Sequence, residues 1–107
     1  MPQIELAGKT YEVDDDGFLQ EMDKWSEEFA QAYAYTVDIT GTLTEEHWKI
    51  IYYTRNYFQK FAIPPVFSKL CKDNGIDRNK LYELFPMGLA KGACKLSGLS
   101  KPSSWVK

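Results

Sequence analysis

The chain has 107 residues, of which 44% are hydrophobic and 15% aromatic. That is enough for one core and too little for two domains, so residues 1–107 are expected to form a single domain. No apolar stretch approaches the roughly 20 residues that cross a bilayer, and the first residues lack the basic and apolar blocks of a secretory signal. We therefore expect a cytoplasmic monomer without a membrane span.

The charges are distributed unevenly along the chain. Residues 1–63 contain 12 acidic and 5 basic side chains, whereas residues 64–107 contain 3 acidic and 8 basic ones. A basic C-terminal third favours an acidic partner, an anionic substrate or nucleic acid. Lysines are equally common on plain solvated surfaces, so this asymmetry alone does not identify a partner.

Residues 1–17 predict a β-hairpin. Polar and apolar side chains alternate over residues 3–6 and again over residues 10–13, with a turn at Ala7-Gly8-Lys9 between them. The Asp-Asp-Asp-Gly run at residues 14–17 is typical of a turn that ends the second strand. A two-stranded hairpin is marginal alone, so we expect it to pack on helices.

Residues 23–98 predict a helical core, because apolar side chains recur every three to four residues. Thr44 is a good N-cap for the longest helix, which must end before Pro64-Pro65. That helix has two apolar stripes and is expected to be central. Residues 99–107 show no periodicity and predict a flexible C-terminal arm. Helices are expected at about residues 23–37, 45–61, 66–74, 77–85 and 89–96, with Asp23 or Ser26 and Asp77 as further caps.

The segment from Val66 to Phe85 is similar to a helix-turn-helix, with two short helices around an Asn74-Gly75 turn. The mixed charges of its second helix suit a phosphate backbone poorly. A DNA-binding regulator therefore remains an alternative function, although such helix pairs are more often packing units. The second helix carries Asp77, Arg78, Asn79, Lys80 and Glu83.

The two cysteines differ in their surroundings. Cys71 follows apolar residues on its helix and is expected to be a buried structural thiol. Cys94 lies between Lys91 and Lys95, and nearby cations lower the pKa of a thiol and raise its nucleophilic thiolate fraction. Cys94 is therefore the candidate catalytic thiol, accepting sulfur or acting in redox chemistry.

The one histidine, His47, has no cysteine or second histidine at ligand spacing, so no metal site and no cofactor are expected. A capping or solvent-facing role is the simpler interpretation. A His–Cys pair across the fold stays open. An enzyme with its own turnover is not expected, since the thiol has no matched base or oxyanion site.

Several motifs of the sequence belong together. They are Thr44-Glu45-Glu46-His47-Trp48, Arg55 and Tyr57 on the helix that follows, Pro64-Pro65, and the sequence LYELFPMGLAKGACKLSGLSKP at residues 81–102. Together they resemble the DsrC/TusE family of sulfur-relay proteins, also called the gamma subunit of dissimilatory sulfite reductase. The resemblance covers nearly the whole chain, and its C-terminal block is its most specific part.

The resemblance implies a small helical fold whose C-terminal arm reaches into a sulfite reductase or a sulfurtransferase partner. In the full family pattern, a cysteine of the last helix pairs with a second cysteine on the arm, which carries sulfur as a persulfide. Cys94 matches the helix cysteine. Trp105 stands where the arm cysteine would fall, and an indole cannot hold a persulfide.

Three functions remain open. The first is a protein that docks on sulfur-metabolism partners and acts through Cys94 or regulates them without carrying sulfur. The second is a sulfur carrier with its persulfide on Cys94, and the third is the DNA-binding regulator. The residues expected to bind a partner are Lys91, Lys95, Lys101, Pro102 and Trp105.

Overall fold

The computed structural model describes residues 3–6 and 8–99. Lys101, Pro102 and Trp105, with most of the predicted arm, lie outside the described residues. The fold is mainly helical with one small antiparallel hairpin, as predicted. Its elements are strands β1 (Gln3–Leu6) and β2 (Lys9–Glu12), helices α1 (Glu27–Tyr33), α2 (Glu45–Phe61), α3 (Phe67–Asn74), α4 (Arg78–Leu84) and α5 (Cys94–Leu96), 3-10 helices at Met22–Lys24 and Ala34–Val37, and a π-helical segment at Leu89–Ala93.

The hairpin packs on the helices through one face. Ile4 pairs with Tyr11 across the two strands, and the buried Tyr11 ring meets the Phe29 ring edge-on with centroids 4.9 Å apart. The second strand ends one residue earlier than predicted, because Val13 pairs with Leu19 instead of β1. The hairpin thereby contacts α1 through Tyr11, and the loop after β2 through Val13.

Of the two caps offered for the helix expected at about residues 23–37, Ser26 is confirmed and Asp23 is wrong, because Met22–Lys24 forms a separate 3-10 turn. Trp25 is extended, and Ser26 starts a new helix by accepting a hydrogen bond from the Phe29 N–H through its side chain, at 3.2 Å. A cap of this kind satisfies a free N–H of the first helical turn. Trp25 therefore lies between the 3-10 turn and α1 and belongs to neither.

Helix α2 begins after the predicted cap, Thr44, and packs against α3, α5 and the π-helical segment. Its buried side chains, at helical spacing, are His47, Ile50, Ile51 and Thr54. In the second apolar stripe Ile50 is buried, Tyr53 and Tyr57 are half-buried, and Phe61 is 50% exposed. Helix α2 is thus central, and one side of it carries a partly exposed row of aromatic rings.

The predicted helix pair is present as α3 and α4. Gly75 ends α3 with a φ of +66°, and the Asp77 carboxylate caps α4 by accepting from the Lys80 N–H at 2.8 Å. The Lys80 ammonium lies 3.2 Å from Glu46 and 3.7 Å from Glu83. Part of the positive charge of α4 is therefore compensated within the fold. DNA binding stays a prediction.

His47 fixes the start of α2. Its Nδ1 accepts from the backbone N–H of Thr44 at 3.0 Å, and its Nε2–H donates to the Leu84 carbonyl at 2.8 Å. A carbonyl only accepts and a backbone N–H only donates, so these partners select the neutral ring with its proton on Nε2. His47 is a capping residue, as predicted, but it is buried, so the solvent-facing alternative is wrong.

Burial lowers the pKa of His47 below its ordinary 6.5, against the opposing effects of the Leu84 carbonyl and Glu46. The unfolded chain therefore binds a proton at a higher pH than the folded one. Stability is full above pH 6.5 and falls as the pH drops through the folded pKa, by at most about 1.4 kcal/mol per pH unit.

We predict that urea unfolding between about pH 7.5 and pH 5.5 shows this loss in the native chain, because His47 is the one histidine titrating there. In His47→Gln, whose amide can also serve in a capping box, the loss should be much smaller. Equal slopes in the two proteins would contradict the assignment of the pH dependence to His47.

Candidate functional site around Cys94

A tight turn and a π-helical segment lead into Cys94. Gly88 has a φ of +85°, which favours glycine. A Cβ on Gly92 would lie 3.3 Å from the Phe85 Cβ, so the absence of a side chain lets the segment pack closely. A π-helical turn widens the backbone by one residue and is frequently found at functional sites.

The Cys94 thiol is closed in this structure. Its side chain is 0% exposed, and burial raises the pKa of the thiol far above its ordinary value. The expected lowering by Lys91 and Lys95 is wrong in this conformation. Buried thiols of high pKa are inert until they are exposed.

The two flanking lysines extend elsewhere. The Lys95 ammonium lies 5.0 Å from the centre of the Tyr33 ring and is attracted by Asp14 and Asp16. Burial is the main influence on Lys95 and lowers its pKa. Lys91 is exposed. Lys95 therefore fastens α5 to the turn after the hairpin, and Lys91 is free of that role.

Helix α5 ends in a Schellman motif immediately after the thiol. Gly98 has a φ of +77°, its N–H donates to the Lys95 carbonyl at 3.2 Å, and the Leu99 N–H donates to the Cys94 carbonyl at 3.3 Å. This pair of bonds satisfies two of the carbonyls that a helix end leaves free. The Cys94 backbone is thus part of the cap.

The next two carbonyls are satisfied by side chains from distant elements. The Trp25 Nε1–H donates to the Leu96 carbonyl at 2.6 Å, and the Arg55 Nη1–H donates to the Ser97 carbonyl at 2.9 Å. The guanidinium also lies 4.1 Å above the Trp25 ring. A cation at the negative end of a helix is favourable, and stacking on an indole adds to it.

Further contacts hold these two side chains. The Tyr52 ring meets the Trp25 ring edge-on at 5.5 Å, and its hydroxyl donates to Glu27 at 2.5 Å. The Ser97 hydroxyl lies 2.6 Å from the Ala93 carbonyl and 3.3 Å from that of Ile51. Trp25, Arg55 and Ser97 were not predicted as site residues. The signal in the sequence was an arginine, Arg55, inside an apolar stripe of α2.

A second surface feature lies on the side of α2 that carries the partly exposed aromatic row. An open pocket of about 330 Å³ is lined by Tyr53, Asn56, Tyr57, Lys60, Phe61, Lys69 and Asp73. Tyr57 follows Arg55 by two residues, which turns it about 200° around the helix axis. The pocket therefore faces away from the α5 end.

Cys71, on α3, is 8% exposed, and burial raises the pKa of its thiol. It is buried, as predicted. No group of three or more His, Cys, Asp or Glu side chains among the described residues is arranged to hold a metal ion. No helix in the described part of the chain is long and apolar enough to cross a membrane.

Comparison with known proteins decides the family. A family model described as DsrC like protein matches residues 5–106. The chain belongs to this family. The fold and the family expected from the sequence are both confirmed.

Individual DsrC-like relatives match over nearly the whole chain. The dissimilatory-type sulfite reductase subunit gamma of Nitratidesulfovibrio vulgaris is 39% identical over 106 residues, covering 99% of this chain and 100% of that protein. The sulfurtransferase TusE of Pectobacterium atrosepticum is 37% identical over 107 residues, covering 92% and 95%. The crystal structure of the oxidized gamma-subunit (DsrC) from Archaeoglobus fulgidus is 42% identical, with a TM-score of 0.85 over 95% of this chain and 97% of that one.

Two capping glycines provide a matched test of the α5 end in this DsrC-like fold. A Cβ on Gly98 would lie 2.7 Å from Trp25 Cδ1, whereas a Cβ on Gly75 would meet nothing within 4 Å. Both residues have positive φ, so alanine costs about 1–2 kcal/mol at either position. Only Gly98→Ala must also displace the Trp25 ring, at about 1–3 kcal/mol more.

We therefore predict that Gly98→Ala lowers the free energy of unfolding by more than Gly75→Ala does, as measured by urea titration. The total tryptophan fluorescence should change in Gly98→Ala and not in Gly75→Ala. Equal losses in the two variants would show that Trp25 does not pack tightly on the α5 end.

Proposed function

We propose that this DsrC-like protein works in sulfur metabolism by docking on a sulfite reductase or sulfurtransferase partner and presenting Cys94 to it. The observation that carries the proposal is the buried Cys94 thiol on the last described helix, just before the predicted C-terminal arm. The names of the relatives support the class of partner. A thiol that is shielded in the free protein can be kept for one reaction, on a partner that exposes it.

The partner side of the proposal rests on Lys91 and on residues of the predicted arm. Lys91 is exposed one turn before Cys94. Lys101, Pro102 and Trp105 follow on the arm, and tryptophan is a frequent anchor in protein interfaces. Lys95 is committed to Tyr33 and the hairpin turn, so it contributes to docking less than Lys91 does.

Sulfur transfer to Cys94 is the second candidate, and the thiol at the helix position of the family pattern favours it. Once exposed, the thiol loses its proton to solvent and its thiolate attacks the outer sulfur of a donor persulfide. A Cys94 Sγ–S bond forms, the donor S–S bond breaks, and the donor leaves as a thiolate. Trp105 cannot take part in this step.

We predict that a glutathione persulfide donor adds sulfur to Cys94 slowly in the free native protein and faster in mild urea, because burial limits access. Intact-mass spectrometry would follow the addition in the native chain, Cys71→Ala and Cys94→Ala. Sulfur should add to the first two proteins and not to Cys94→Ala.

Addition to Cys94→Ala and not to Cys71→Ala would assign the reactive thiol to Cys71 and contradict the proposal. No addition to any protein, even in urea, would remove sulfur transfer. Docking with a regulatory role would then remain as the function to test by partner binding.

We also predict that removing residues 100–107 weakens binding to the catalytic subunits of a dissimilatory sulfite reductase at least tenfold, as measured by isothermal titration calorimetry. The melting temperature should change little, because the proposal assigns these residues to the partner and not to the core. A large loss of melting temperature with unchanged affinity would contradict it.

A further inference from the structure

We infer that Trp25 and Arg55 act as a clasp that keeps Cys94 closed, and that an acidic group of the docking partner opens it by competing for Arg55. The clasp is defined as these two side chains together with the Leu96 and Ser97 carbonyls that they hold. Trp25 and Arg55 are positioning residues in this account. The inference rests on the proposed function, in which Cys94 is the working thiol.

The clasp acts on the residues directly after the thiol. The Leu96 and Ser97 carbonyls are two and three residues beyond Cys94, and their donors lie 71 and 42 residues away in sequence. The capping bond from Leu99 to the Cys94 carbonyl belongs to the same turn. Unwinding this turn frees the Cys94 backbone and opens a path to its side chain.

The other contacts of α5 are less suited to release. The Ser97 hydroxyl is buried with its partners, and Lys95 is held by the Tyr33 ring and two aspartates. Trp25 and Arg55 are only half-buried. Solvent, or a partner, reaches the clasp before it reaches the thiol.

Arg55 is the member that a partner can recognise. Within residues 3–6 and 8–99, no carboxylate lies within ion-pair distance of its guanidinium, whose partners are a carbonyl and an indole ring. Burial lowers the pKa of Arg55, as expected for a cation short of compensation. A carboxylate offers it a stronger, bidentate partner than the Ser97 carbonyl does.

Cys94 is reached only by opening α5, so the rate at which an alkylating agent modifies it follows the open fraction when closing is fast. Cys71 is buried in α3 and provides a reference thiol in the same molecule. The experiment is iodoacetamide modification of the native full-length chain, with each cysteine followed by peptide mass mapping.

Three variants are compared with the native chain. Arg55→Met keeps the apolar stem and removes the donor, and Trp25→Phe keeps a ring and removes the indole N–H. Tyr53→Phe is the matched control, because it also removes one side-chain donor from α2. The lost hydroxyl donates to Asp73 at 2.6 Å, on the side of α2 that faces away from the clasp.

We expect Cys94 modification to be about tenfold faster in Arg55→Met and in Trp25→Phe, the effect of one lost hydrogen bond on the open fraction. Cys71 should keep its native rate in both, and Tyr53→Phe should leave Cys94 at its native rate. Arg55→Lys, which keeps a charged donor, should recover part of the protection.

Two results would overturn the clasp. One is an equal acceleration of Cys71 and Cys94, which is the pattern of lost global stability. The other is an unchanged Cys94 rate in both clasp variants. Alkylation needs no sulfur donor, so the two proposals can fail separately. If the clasp is wrong, persulfide addition at Cys94 can still succeed. If sulfur transfer is wrong, the alkylation rates can still show the clasp.

Discussion

The carbonyl groups at the end of α5 need hydrogen-bond donors, and the arrangement around Cys94 depends on where those donors come from. The chain supplies two from its own Schellman turn at Gly98 and two from Trp25 and Arg55. Because the last two come from elements far away in sequence, a local helix end becomes a junction of the whole fold. The break at Trp25 and the central position of α2 both serve this junction.

This junction gives the thiol a chemistry that its neighbours in sequence do not suggest. Lysines on either side of a cysteine predict an accessible thiolate, yet Lys95 is drawn to Tyr33 and the acidic turn, and burial raises the pKa of Cys94. A closed, protonated thiol is protected from unwanted oxidation and alkylation. In the proposed function its use depends on a partner that opens α5.

Local features could be predicted from the sequence because their causes are local. Thr44 and Asp77 cap their helices through side chains three residues from their bonding partners, and Gly75 ends α3 through its own backbone freedom. The hydrogen bonds from Trp25 and Arg55 to the end of α5 could not be predicted, because they depend on packing between elements that only the folded chain brings together. The choice between Asp23 and Ser26 as the first cap stays open in the sequence for a related reason, since the extended backbone at Trp25 decides for Ser26 only in the folded chain.

The most direct test of the account is the iodoacetamide modification rate of Cys94 in the free protein and in its complex with sulfite reductase catalytic subunits, with Cys71 as the reference thiol. The account predicts slow modification of both cysteines in the free chain, and a selective acceleration at Cys94 when substoichiometric catalytic subunits are added. A Cys94 that reacts rapidly in the free chain would contradict the account.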